Sequence, residues 1–159
     1  MSPRVRTRPL ADEEYPPWRE QQVTDYAEEM ARNVGVAAAT LMERSRREHD
    51  DLLPQGLGTP GHLVMIAEDD ETGEEIGWLW IAERDSDAGK VAWIYDIVVN
   101  EALRGRGYGR ALMTEAELLA GQMGLSRVEL NVFADNAVAR SLYESSGYRE
   151  TARQMAKDL

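Results

Sequence analysis

The spacing of hydrophobic positions changes along the chain, and each change marks an element. Residues 5–9 (Val-Arg-Thr-Arg-Pro) read as a short first strand. After Tyr15, Pro16, Pro17 and Trp18, the positions Val23, Tyr26, Ala27 and Met30 recur at helical spacing, which predicts a helix ending near Asn33 and Gly35. Prolines suit its first turn, where their missing N–H would be unpaired anyway. A second helix over 37–50 turns Ala38, Leu41, Met42 and Ser45 inward. Its charged end, 43–51, is explained by a solvated face. Residues 54–61 are a Gly- and Pro-rich loop.

Three strands follow, over 62–68, 75–83 and 91–99. The second places Trp78 and Trp80 on one face, with Ile76, Leu79 and Ile81 mostly on the other. The third is almost continuously apolar, the pattern of a central strand covered on both faces. A helix over 107–123 carries Leu112, Met113, Ala116, Leu119, Ala120 and Met123 on one stripe. A strand over 127–133 and a helix over 136–146 come next, with Asp135 as N-cap and Gly147 as stop. Residues 148–153 and 154–159 fit a last pair of strands. The order predicts a mixed α/β (α+β) fold with helices on both faces of one sheet. With 159 residues and no repeat or linker, a single domain over 1–159 is expected.

Composition narrows the chemistry. There is no cysteine, which excludes disulfides, thiolate metal sites and a cysteine nucleophile. The two histidines, His49 and His62, lie in separate elements, so no metal site is expected. No apolar run approaches the ~18–20 residues of a membrane span. The polar start, with Arg4, Arg6 and Arg8, lacks the apolar centre of a secretory signal, so a cytoplasmic protein is expected. The net charge of −11 disfavours nucleic-acid binding. It leans toward a cationic partner, or serves solubility alone.

The informative segment runs from Ile94 to Met113. An apolar strand ends at Val99, a loop with Gly105, Gly107 and Gly109 follows, and a helix begins. Glycines let a backbone approach a ligand closely, and the N–H groups of a helix N-terminus bind phosphate. Arg104, Arg106 and Arg110 add positive charge to an acidic chain. A phosphate-bearing ligand is therefore expected. The P-loop pattern fails, because Gly109 is followed by Arg110 and Ala111. The dinucleotide pattern started at Gly105 and Gly107 fails, because position 110 is arginine.

Arg104-x-x-Gly107-x-Gly109 resembles the acetyl-CoA signature of the GNAT superfamily of N-acetyltransferases. A second element lies downstream: Leu130-Asn-Val-Phe-Ala-Asp-Asn136, then Ala139, Leu142-Tyr143 and Gly147-Tyr148. The resemblance spans Val91 to Tyr148. It implies a central mixed, mostly antiparallel sheet splayed between strands 4 and 5, here residues 94–99 and 127–133. It further implies that acetyl-CoA is the co-substrate, with its arm on backbone groups of Ile97, Val98 and Val99. Its pyrophosphate would lie on the amides of Gly105, Arg106, Gly107, Tyr108, Gly109 and Arg110.

By the same resemblance Asn136 contacts the cofactor arm, although a helix-cap role is equally open to it. Tyr143 matches the family tyrosine near the sulfur, as acid or hydrogen-bond donor to the departing thiolate; packing on a helix face is its alternative. Some relatives carry a glutamate base where this chain has Asn131, which cannot accept the proton but could hold water or acceptor. Asp96, interrupting the apolar strand, is the substitute candidate. It reads equally as a structural carboxylate bonded to a neighbouring donor. Glu83 is a second candidate. Tyr15, Trp18 and Tyr26 border the acceptor site or pack the core. The implied reaction is direct acetyl transfer to an amine: a small amine, an amino sugar, a peptide N-terminus or a lysine. A non-catalytic acyl-CoA-binding module on the same fold is the competing class. Such proteins often form homodimers; the sequence itself says nothing of assembly.

Overall fold

Alternation along residues 62–99 becomes a meander of antiparallel strands. The computed structural model describes residues 2–159. Strands β1 (Val5–Pro9), β2 (His62–Asp69), β3 (Glu75–Ser86), β4 (Gly89–Val99) and β5 (Val128–Leu130) form one sheet in that order. The first four pair antiparallel and β5 joins β4 in parallel. Helices α1 (Tyr15–Val34) and α2 (Ala38–Leu52) pack together on one face. On the other lie α3 (Tyr108–Gln122) and α4 (Ala137–Ser145). The predicted mixed sheet with helices on both faces is what forms.

The period-2 pattern sorts side chains as expected. Val64, Ile66 and Trp80 join Leu10, Trp18 and Leu53 under α1 and α2. Met65, Ala67, Ile76, Leu79, Ile81, Ala92 and Ile94 pack against Leu112, Met113 and Ala116 of α3. Each large side chain fully removed from water contributes roughly 1.5–3 kcal/mol. The start of α1 is tied to the sheet by Arg8, whose guanidinium bonds Glu14 at 2.8 Å and Glu68 at 3.0 Å. Bonding to Arg8 and to the Ala11 amide holds the Glu14 carboxyl down at about 2.

Two irregularities shape the middle of the sheet. At Gly77, φ is 152°, and a Cβ there would lie 1.8 Å from the Val98 carbonyl oxygen, so only glycine lets β3 lie this close to β4. Three residues on, the β3–β4 register moves from Trp80↔Asp96 to Ile81↔Ile94, leaving Tyr95 as an extra residue in β4. This bulge turns two successive side chains, Tyr95 and Asp96, toward the α1/α2 layer, where strict alternation would allow one.

Three expectations are corrected. The fifth strand is Val128–Leu130 rather than 127–133, because the chain leaves β4 after Leu130. Asn136, not Asp135, caps α4: its Oδ1 accepts from the Ala139 amide at 3.1 Å. Residues 148–159 form no strands. A strand needs a ladder partner and a buried face, and residues 149–159 are exposed with no apolar alternation to bury. Tyr148 instead packs beside Tyr143 at 6.2 Å and donates to Glu117.

Candidate active site

β4 and β5 run together only through Ala92↔Val128, Trp93↔Glu129 and Ile94↔Leu130. Beyond that point they part. The Asn100 amide bonds the Ile76 carbonyl. Antiparallel alternation therefore gives the backbone groups of Val98 to β3 and turns those of Ile97 and Val99 toward the parted edge. Residues 131–133 form the opposite bank. The gap opens into a cavity of about 680 Å³, reached by α1, α2, β4 and α4.

Its charged lining sets five carboxylates, Asp25, Glu28 and Glu29 from α1, Glu48 from α2 and Asp96 from β4, against three arginines, Arg32, Arg84 and Arg104. Asp96 Oδ2 accepts from Gln22 Nε2 at 2.6 Å and Trp78 Nε1 at 2.7 Å. Burial pushes its pKa up, against those two bonds. Glu29 is held differently. Its carboxylate takes no hydrogen bond or ion pair among the described residues. Its pKa rises to about 7, first from burial, then from the nearby Asp96, with Arg32 opposing. Tyr143, on α4, presents a hydroxyl without a partner among the described residues. Burial, then Asp96 and Glu29, push it up to about 12.

An aromatic cluster closes one end. Tyr95, the bulged residue, stacks on Trp80 with centroids 4.7 Å apart. Trp80 Nε1 donates to His62 Nδ1 at 3.0 Å, and His49 lies 5.4 Å from the same indole. The two histidines thus meet around one tryptophan, although sequence separates them. Burial, reinforced by Arg19, lowers His49 to about 4, so it is neutral at physiological pH. No cluster of three or more metal-ligating side chains occurs among the described residues. Trp18 belongs to this packing, 5.6 Å from Trp80, with Tyr15 beside it. Tyr26 lines the cavity and faces Phe133 at 6.4 Å.

At the other end of the gap the 104–110 loop meets α3. Gly105 (φ 76°) and Gly107 (φ 91°) adopt left-handed backbone, and a Cβ at Gly105 would meet nothing within 4 Å. Among the described residues none of the amides of 105–110 is a donor in a hydrogen bond, so the helix N-terminus stays open to an anion. The side chains are partly committed. Arg104 Nε bonds the Val99 carbonyl at 3.0 Å, and Arg110 reaches Ser145 Oγ at 2.8 Å. Tyr108 turns away and donates to Asp69 at 2.7 Å. Arg106 is exposed.

A model of the acetyltransferase (GNAT) family matches residues 10–148. The chain belongs to that family. This GNAT protein is 34% identical over 155 residues to YycN of Bacillus subtilis, an uncharacterised N-acetyltransferase, covering 98% of this chain and 99% of YycN. The crystal structure of YycN superposes with a TM-score of 0.89 at 33% identity, covering 98% of both chains. An acetyl transferase from Pyrococcus furiosus gives a TM-score of 0.71 at 29% identity, covering 97% of this chain and 100% of that one.

Within this GNAT fold, Asp96, Asn131, Asn136, Tyr143, Ile97, Val98 and Arg104 all line this cavity, and Val99 does not. Gly105–Arg110 form the loop beyond it. Glu83 does not line it; it pairs with Lys90 on the β3–β4 hairpin. Asn131 is exposed on the far bank. The sequence reading missed Gln22, Asp25 and Glu29. Their signal was present: positions 22, 25 and 29 form a polar stripe at helical spacing beside the apolar stripe of Val23, Ala27 and Met30.

Proposed function

We propose that this protein transfers the acetyl group of acetyl-CoA directly to an amine. The observation that carries the reading is the parting of β4 and β5. It puts the backbone edge at Ile97 and the free hydroxyl of Tyr143 on one cavity, with the open amides of the 105–110 loop following Arg104 at its edge. The loop suits the pyrophosphate, the strand edge suits the amide-bearing arm, and edge N–H groups suit the thioester oxygen as charge grows on it. Acetyl-CoA would supply the activated acyl group. The excess of carboxylates over arginines in the cavity lining, five against three, favours an acceptor that arrives as a cation, as amines do at neutral pH.

Isothermal titration with acetyl-CoA tests the donor half, using the wild type and Gly105→Glu, which puts a carboxylate on the open loop at a position where a Cβ meets no other atom within 4 Å. Binding lost in the variant, with its Tm retained, supports the assignment; no wild-type binding overturns it. A thiol-release assay then tests the acceptor half with 1,4-diaminobutane, glucosamine, a lysine-containing tripeptide and a peptide with a free N-terminus. Acetyl-CoA binding without acceptor-dependent release from any of these favours the acyl-CoA-binding module over the enzyme.

A further inference from the structure

The cavity holds two interior carboxylates of different standing. Asp96 is anchored: Gln22 and Trp78 both donate to its Oδ2, bonds that favour its ionised form and fix it between α1 and the sheet. Glu29 is unoccupied, on the α1 face turned to the same space, near enough to Asp96 and Tyr143 for their charges to be felt. We propose that Glu29, rather than Asp96, is the catalytic residue that takes the proton from the attacking amine. The inference rests on the acetyl-transfer reading above.

The proton count fits this division. An acceptor arriving as an ammonium must lose two protons. The first passes to the Glu29 carboxylate and on to solvent through the open side of the cavity. The freed nitrogen lone pair forms the N–C bond to the thioester carbon. The C–S bond breaks, and its electron pair leaves with sulfur. The second nitrogen proton ends on that sulfur, with the Tyr143 hydroxyl as the donor facing it. A base near neutrality is suited to this step. Burial and Asp96 place Glu29 there, while Asp25, Asp135, Arg32 and Tyr143 are the other charged or titratable groups that face it.

The test is the pH profile of kcat/KM with the best acceptor of the panel, for wild type, Glu29→Gln and Asp25→Asn. Wild type is expected to give a bell, with its acid limb near pH 7 and its alkaline limb at the acceptor's own pKa. Glu29→Gln should lose ~10²-fold at pH 7 and convert the bell to a line rising tenfold per pH unit toward the amine pKa. Its acetyl-CoA affinity by calorimetry should be unchanged. Asp25→Asn, one turn earlier on α1, should raise KM for a cationic acceptor and keep the acid limb. An unchanged profile in Glu29→Gln, or equal changes in both variants, overturns the role of Glu29 and leaves the acetyltransferase reading standing. Absence of acceptor-dependent turnover in the wild type overturns both.

Discussion

Gln22 Nε2 donates to Asp96 Oδ2 across 2.6 Å and so joins the middle of α1 to the bulged stretch of β4. With Trp78 on the same oxygen, the carboxylate is an anchor between helix layer and sheet. Gln22→Leu leaves one donor for a buried carboxylate and should lose about 1–3 kcal/mol in urea unfolding. Asp96→Asn keeps an acceptor oxygen and should lose less. Wild-type stability in Gln22→Leu would show that the link carries no load.

Gly77 is the tightest point of the sheet. Gly77→Ala places a methyl 1.8 Å from the Val98 oxygen, and no side chain can move to relieve it. A loss of at least ~3 kcal/mol, or insoluble protein, is expected. Gly73→Ala is the control. It also has positive φ, at 74°, but meets only the end of Arg6 at 3.8 Å, so it should cost about 1 kcal/mol.

Two cavity groups give stability opposite pH slopes. His49 falls from 6.5 to about 4 on folding, through burial and then Arg19. The unfolded chain therefore binds more protons between those values, and stability falls as pH drops from 6.5 to 4. Glu29 rises from 4.5 to about 7, so the folded chain holds the extra proton and stability falls as pH climbs through that range. After screening, each is worth about 1–2 kcal/mol. His49→Gln should flatten the acid side of a Tm–pH curve. Glu29→Gln should raise Tm at pH 8 and leave it unchanged at pH 4.

Tyr143→Phe removes a free hydroxyl facing the gap while keeping the ring in its packing beside Tyr148. Steady-state kinetics should show kcat down about 10²-fold, with acetyl-CoA affinity retained. Because Tyr143 is pushed up to about 12, its ionisation should add no alkaline limb below pH 11. An unaltered kcat would remove Tyr143 from the reaction.

Much of this was legible in the chain. Alternation at Trp78, Leu79, Trp80 and Ile81 gave the faces of β3, and the glycine loop before Leu112 gave the strand–loop–helix unit. Asp96 was visible because a carboxylate inside an apolar strand demands a partner, but the partners, Gln22 and Trp78, come from distant sequence. The bulge at Tyr95 left no local signature, since it shows only in the register shift between β3 and β4. Glu29 was hidden by its charge, because a glutamate on a helix reads as solvent-facing until another element covers it. The expectation of strands after Tyr148 fails because residues 149–159 offer no apolar face to bury.

The short β4–β5 ladder has a dynamic consequence. Three paired positions fasten β5 to the sheet, while β3 and β4 share a ladder along nearly their whole length. Amides of residues 128–148 should therefore exchange with solvent through excursions of lower free energy than those of β2–β4. The segment carrying Asn136 and Tyr143 can breathe against an intact core, and the width of the gap becomes a fluctuating quantity that a bound donor would damp.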